Sequence, residues 1–168
     1  MNPALPSIID PSAELTPGNY AETETQHLTK YLSFMLGGEQ YALSAANINE
    51  VLRYSDITPV PGAPGFILGI INLRGDVVTV IDARAVFGLQ PHPIAPQSRI
   101  IVVEIEDFIA GVLVDQVAAV IDLDASCIEA APHTGEEASA RFIQGVYNVD
   151  EALYILVDFA KLTELLPH

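Results

Sequence analysis

The chain has 168 residues, 22 acidic against 7 basic, and a formal net charge of -15, with half of its residues hydrophobic and 17% charged. That is about one domain's worth of chain with ample material for a core. The sign of the charge argues against nucleic acid and anionic lipid as partners, because phosphate affinity comes mainly from Lys and Arg displacing counterions.

The longest apolar runs, 100–103 and 108–114, fall far short of the roughly 20 residues needed to cross a bilayer. The opening Met1-Asn2-Pro3-Ala4-Leu5 lacks the basic and apolar regions of a secretory signal. A single cysteine, Cys127, permits no internal disulfide and suits a reducing compartment. The expectation is a cytoplasmic protein without direct membrane insertion.

Residues 1–28 carry Pro3, Pro6, Pro11, Pro17 and Gly18, four acids and no base, and read as a flexible acidic leader. From Lys30 onward, short alternating or wholly apolar runs are separated by Gly, Pro and Asp, the signature of an all-β fold. Strands are predicted over 31–36, 40–44, 66–71, 77–81, 99–105, 108–114, 142–147 and 153–157, many of them rich in Val and Ile. Three short helices are predicted: 45–53, where Ile48, Val51 and Leu52 follow i, i+3, i+4 spacing, 83–87 behind an Asp82 cap, and 159–166 behind Asp158.

The chain also contains an internal repeat. Phe66-Ile67-x-Gly69-x-x-Asn72 and Asp82 match Phe142-Ile143-x-Gly145-x-x-Asn148 and Asp158 at a spacing of 76 residues. Ile48, Val51 and Leu52 match Val117, Val120 and Ile121 at 69, and Ile57 and Pro61 match Ile128 and Pro132 at 71. The preserved order points to duplication and two similar β units.

Catalytic chemistry is sparse. His27, His92, His133 and His168 form no metal-spaced cluster, and Gly62-Ala63-Pro64-Gly65 has no Lys and reads as a turn rather than a phosphate loop. Asp122 with Asp124, and Glu136 with Glu137, read as solvated loop acids, and Cys127 has no neighbouring base. No enzyme activity, metal or cofactor is expected. Arg74, at the Gly75-marked turn between two apolar runs, has two readings: a turn residue paired with a carboxylate, or a rigid donor at a protein interface. A mean hydropathy of +0.34 in a chain this small favours an exposed apolar binding surface.

Glu50-Val51-Leu52-Arg53, 57–64 (ITPVPGAP), 69–75 (GIINLRG), Val80-Ile81-Asp82 and 111–115 (GVLVD) together resemble the CheW family of chemotaxis coupling proteins, over roughly residues 29–166. The resemblance implies two five-stranded Src-homology-3-type β-barrels with swapped segments, one from about 30–60 plus 122–160 and the other from about 65–120. It implies a non-enzymatic adaptor joining the cytoplasmic tips of methyl-accepting chemoreceptors to the regulatory domain of the histidine kinase CheA, recruited to the inner face of the membrane through receptor arrays. It further implies receptor contacts at Leu32, Ala45, Ile48, Glu50, Val51, Arg74 and Val117, and kinase contacts at Gly69, Val77 and Val78. An adaptor for pili or biofilm control is the nearest alternative, and a small-ligand-binding β-barrel the more distant one.

Overall fold

The computed structural model describes residues 28–130 and 141–164. The acidic leader through His27, Pro132 of the second repeat, His133, Glu136, Glu137, Leu165, Leu166 and His168 lie outside the described residues.

These residues form ten strands: β1 (Leu28–Leu36), β2 (Glu39–Ser44), β3 (Ile48–Arg53), β4 (Ile67–Leu73), β5 (Asp76–Asp82), β6 (Arg99–Ile105), β7 (Phe108–Val114), β8 (Gln116–Asp124), β9 (Ile143–Val149) and β10 (Ala152–Val157). One helical turn, α1 (Ala83–Val86), follows β5. The strands make two five-stranded sheets, ordered β8-β1-β2-β10-β9 and β3-β6-β7-β5-β4. In each, two antiparallel hairpins meet along one parallel pair, β2 with β10 or β5 with β7. Apart from the first two residues of β1 and the last three of β8, both sheets belong to one compact unit running over Lys30–Ile121 and from Ile128 onward. Asp122–Cys127 falls outside that unit, and there Asp124 Oδ1 accepts from Ser126 N at 3.0 Å and Ser126 Oγ at 2.7 Å.

The repeat is realised strand for strand. β3, β4, β5, β6 and β7 occupy the same ladder positions as β8, β9, β10, β1 and β2. One sheet is therefore a circular permutation of the other, completed by the first hairpin of the chain. The local devices repeat as well. Asp82 N donates to Phe66 O, and Asp158 N to Phe142 O, at 2.8 Å in each case. Asp82 and Asp158 both accept a backbone N–H two residues on, at 3.0 and 2.9 Å, which starts a helical turn in each repeat. Gly69 and Gly145 permit a close crossing, since a Cβ would lie 2.2 Å from Thr58 O in one and 2.5 Å from Glu129 O in the other.

Three expectations change. The sheets do not close into continuous barrels: β3 and β4 are joined beyond β3 by the single bridge Thr58–Ile70, and the equivalent edges by Glu129–Val146. An irregular segment separates β3 from Thr58, which interrupts the ladder. The 45–53 helix is a 3-10 turn, Ala45–Asn47, followed by strand β3. A bulge between Ile48 and Glu50 shifts the alternation, so that Ile48 and Val51, opposite Val103 and Ile101, share one face and imitate helical spacing. The ladders place β3 in the second sheet and β8 in the first, so the chain first changes sheets at Ala45–Asn47, ahead of residue 60.

A shared core takes Leu32, Phe34 and Leu43 from one sheet and Ile81, Ile101 and Val112 from the other. Ile100 and Val102, the alternate residues of β6, enter a second cluster with Ile71, Val78 and Val80. β6 is thus apolar on both faces, which accounts for its unbroken Ile100-Ile101-Val102-Val103 run.

Candidate docking surface

Arg74 and Gly75 make the two-residue turn between β4 and β5. Both have positive φ, 54° and 89°, as a hairpin turn matched to strand twist requires. Asn72 Oδ1 accepts from Gly75 N at 3.1 Å and holds the turn. From this tip the guanidinium reaches Glu50 on β3 as a bidentate pair, with Nη2 donating to Oε1 at 2.8 Å and Nη1 donating to Oε2. The pair spans the two edge strands of one sheet, where no ladder joins them. The hydrogen bonds from Arg74 hold the Glu50 carboxyl below its usual range, and Glu50 in turn raises Arg74. The Arg74 side chain nevertheless stays 70% exposed. The first reading of Arg74 therefore holds, since it is a carboxylate-paired turn residue, and its side chain is at the same time presented to solvent.

Among the other residues assigned to the receptor side, Ile48 and Val117 are half-buried and pack against the shared core from β3 and β8, the edge strands of the two sheets. Val51, on the same face as Ile48, is 38% exposed. Ala45 is half-buried in the 3-10 turn. Leu32 is buried and supports the surface from beneath. On the kinase side, Val77 is 68% exposed beside a shallow cleft of about 400 Å³ that Asp76, Asp107 and Phe108 also line. Val78 is a core residue, and Gly69 serves the strand crossing. Of those three, only Val77 offers a free apolar surface.

Two residues of the same kind escaped the site assignment. Val120 and Leu153, 58% and 46% exposed, occupy the repeat positions of Val51 and Val77. The spacings of 69 and 76 were the signal that would have found them.

The polar cluster with the strongest geometry is structural. Arg84 Nε and Nη2 donate to Asp115 Oδ1 and Oδ2 at 2.8 and 2.7 Å, its Nη1 donates to Gln90 O at 2.7 Å, and Gly37 N donates to Asp115 Oδ2 at 2.9 Å. The four residues tie α1 and its following loop to the β1–β2 turn. Among the described residues no group of His, Cys, Asp or Glu is placed to hold a metal ion. What edge strand β3 offers chemically is aliphatic area on one face and a fixed ion pair on the other.

Comparison with known proteins agrees with this fold. The CheW-like domain family matches residues 30–166. The chemotaxis protein CheW of Bacillus subtilis is 33% identical over 129 residues, covering 77% of this chain and 83% of that one. CheW of Klebsiella aerogenes is 32% identical over 133 residues, 79% of this chain and 80% of that one. The crystal structure of the scaffolding protein TtCheW from Thermoanaerobacter tengcongensis superposes with a TM-score of 0.75 at 37% identity, covering 81% of this chain and 92% of that one. The chain belongs to the CheW-like family, as a chemotaxis scaffold and not an enzyme.

Proposed function

We propose that the chain couples the cytoplasmic tips of chemoreceptors to the regulatory domain of the kinase CheA, at the inner face of the membrane, through two separate surfaces. The observation that carries this reading is the aliphatic stripe on edge strand β3, Ile48 and Val51, which is continuous with the shared core, with the Arg74–Glu50 pair on the opposite face of the same strand. A receptor helix laid on it buries apolar area from both sides, the usual energetics of a helix in a groove. Val77 on β5 supplies the kinase side. No helix among the described residues is long and apolar enough to cross a membrane, so the membrane is reached through the receptor. An adaptor of this kind transmits a signal only through unequal contacts with two receptor states or two kinase states.

The test is a binding assay with a receptor-tip fragment and a kinase regulatory domain. Val51→Asp is expected to weaken the receptor complex by tenfold or more and leave the kinase complex intact; Val77→Asp is expected to do the reverse. Arg74→Glu places two like charges against each other at Glu50 and is expected to weaken receptor coupling in a reconstituted kinase assay. Retention of both complexes by all three variants would remove the assignment of these surfaces.

A further inference from the structure

Arg53 ends β3 and lies directly opposite Arg99, the first residue of β6. Like charges at opposed positions of an antiparallel pair are destabilising, and this chain carries three acids for every base. Yet neither guanidinium has a carboxylate partner among the described residues. Arg99 Nη1 donates to the carbonyls of Pro96 and Ser98, each at 2.9 Å, and Arg53 has no side-chain partner there. Arg74 and Arg84, by contrast, are both paired with a carboxylate. Nor does the fold demand like charge at this position, because the repeat puts Asp122 and Lys30 at the corresponding places in the sequence.

Side chains alternate along a strand, so Arg53 shares a face with Val51, and Arg99 shares it with Ile101 on the neighbouring strand. The exposed aliphatic stripe therefore runs directly into a double guanidinium. We propose that Arg53 and Arg99 form a carboxylate clamp at the end of the docking stripe, which takes an acidic side chain of the receptor helix that covers Val51. The inference rests on the receptor-docking reading above. Two forks of N–H donors suit a carboxylate, and their mutual repulsion is relieved only when the acid is present, so the free protein holds the clamp open. Val51 and Arg53 are separated by about 6.7 Å along the strand, about one helical turn. For a helix running along β3, the acid thus falls about four residues from the apolar side chain seated on Val51. A helix with the apolar stripe but without that acid leaves both cations uncompensated and is discriminated against.

The test titrates the full-length chain with a chemoreceptor-tip fragment and records melting temperatures in parallel. Arg53→Glu is expected to weaken binding by tenfold or more and to raise the melting temperature by about 2 °C, because it sets opposite charges across the strand pair. Arg53→Lys is expected to stay within about threefold of the parent, and an acid-to-lysine change in the tip fragment to restore binding to Arg53→Glu. If Val51→Asp weakens binding but Arg53→Glu does not, the clamp is rejected and the docking surface stands. If Val51→Asp has no effect, the docking surface is rejected and the clamp with it. Should deletion of residues 1–27 abolish the sensitivity to Arg53→Glu, the acidic leader is the occupant and the clamp for a receptor acid is overturned.

Discussion

Arg74 and Arg84 are both arginines in bidentate contact with a carboxylate, and their surroundings give them different work. The Arg74–Glu50 pair is open to water, where screening and side-chain entropy leave little net stabilisation. Arg84 and Asp115 are mostly enclosed, with Nε, Nη1 and Nη2 each bonded to an acceptor, so removing one partner strands the other. Arg84→Ala is expected to cost about 2–3 kcal/mol in a urea unfolding experiment. Hydrogen bonds from Arg84 hold the Asp115 carboxyl below its usual range, with burial opposing them. Its contribution is therefore present above the unfolded pKa and is lost as pH falls through the lowered folded value. Asp82 runs the other way. Burial raises its carboxyl despite the N–H bonds it accepts from Arg84 and Ala85, so its contribution is present at low pH and is lost as pH rises through the raised folded value. Urea midpoints measured between about pH 2 and 5 are expected to lose part of their acid decline in Asp115→Asn, and an unchanged slope would show that other carboxylates dominate.

At the scale of the strand, the repeated glycines are the sharpest constraint. Gly69→Ala and Gly145→Ala each drive a methyl group into a carbonyl of the crossing segment and are expected to destabilise by about 3 kcal/mol. Gly65→Ala meets nothing within 4 Å and is expected to be neutral or slightly stabilising by thermal melting. The sequence made these glycines, most strands and the Asp82 cap legible, because each depends on local chemistry: period-two alternation, absence of a Cβ, or a side chain that satisfies a nearby N–H. β3 was not legible. Its bulge set Ile48 and Val51 on one face with the spacing of a helix, and only the partner strand β6 fixes the pairing that distinguishes the two. β8 went unassigned for a related reason, since Gln116, Ala118 and Ala119 give its exposed positions little polarity to alternate with. In the candidate docking surface, the family resemblance supplied Ile48, Val51 and Val77, but separating these solvent-reaching positions from the core residues Leu32 and Val78 required burial, which depends on the whole sheet.

The shared core makes the two sheets one folding unit. Phe34 and Ile101 approach it from different sheets and both are fully buried. Phe34→Ala is expected to cost about 3–5 kcal/mol and to lower the hydrogen-exchange protection of β6 and β7 along with that of β1 and β2. Protection lost in one sheet alone would show that the sheets open independently. The exchange of segments between sheets is the part of the architecture that pattern reading handled worst. The repeat, taken alone, suggests one barrel per copy, whereas the first hairpin belongs with the last strands.

That permuted order sets a timetable for biosynthesis. The five strands of one sheet leave the ribosome consecutively, from Ile48 to Val114, and can pair as they emerge. The other sheet begins with the earliest hairpin and waits for β10, nearly the whole chain later. In a nascent or prematurely terminated chain the first hairpin therefore lacks its partners β9 and β10, and that sheet stays incomplete until synthesis is nearly over.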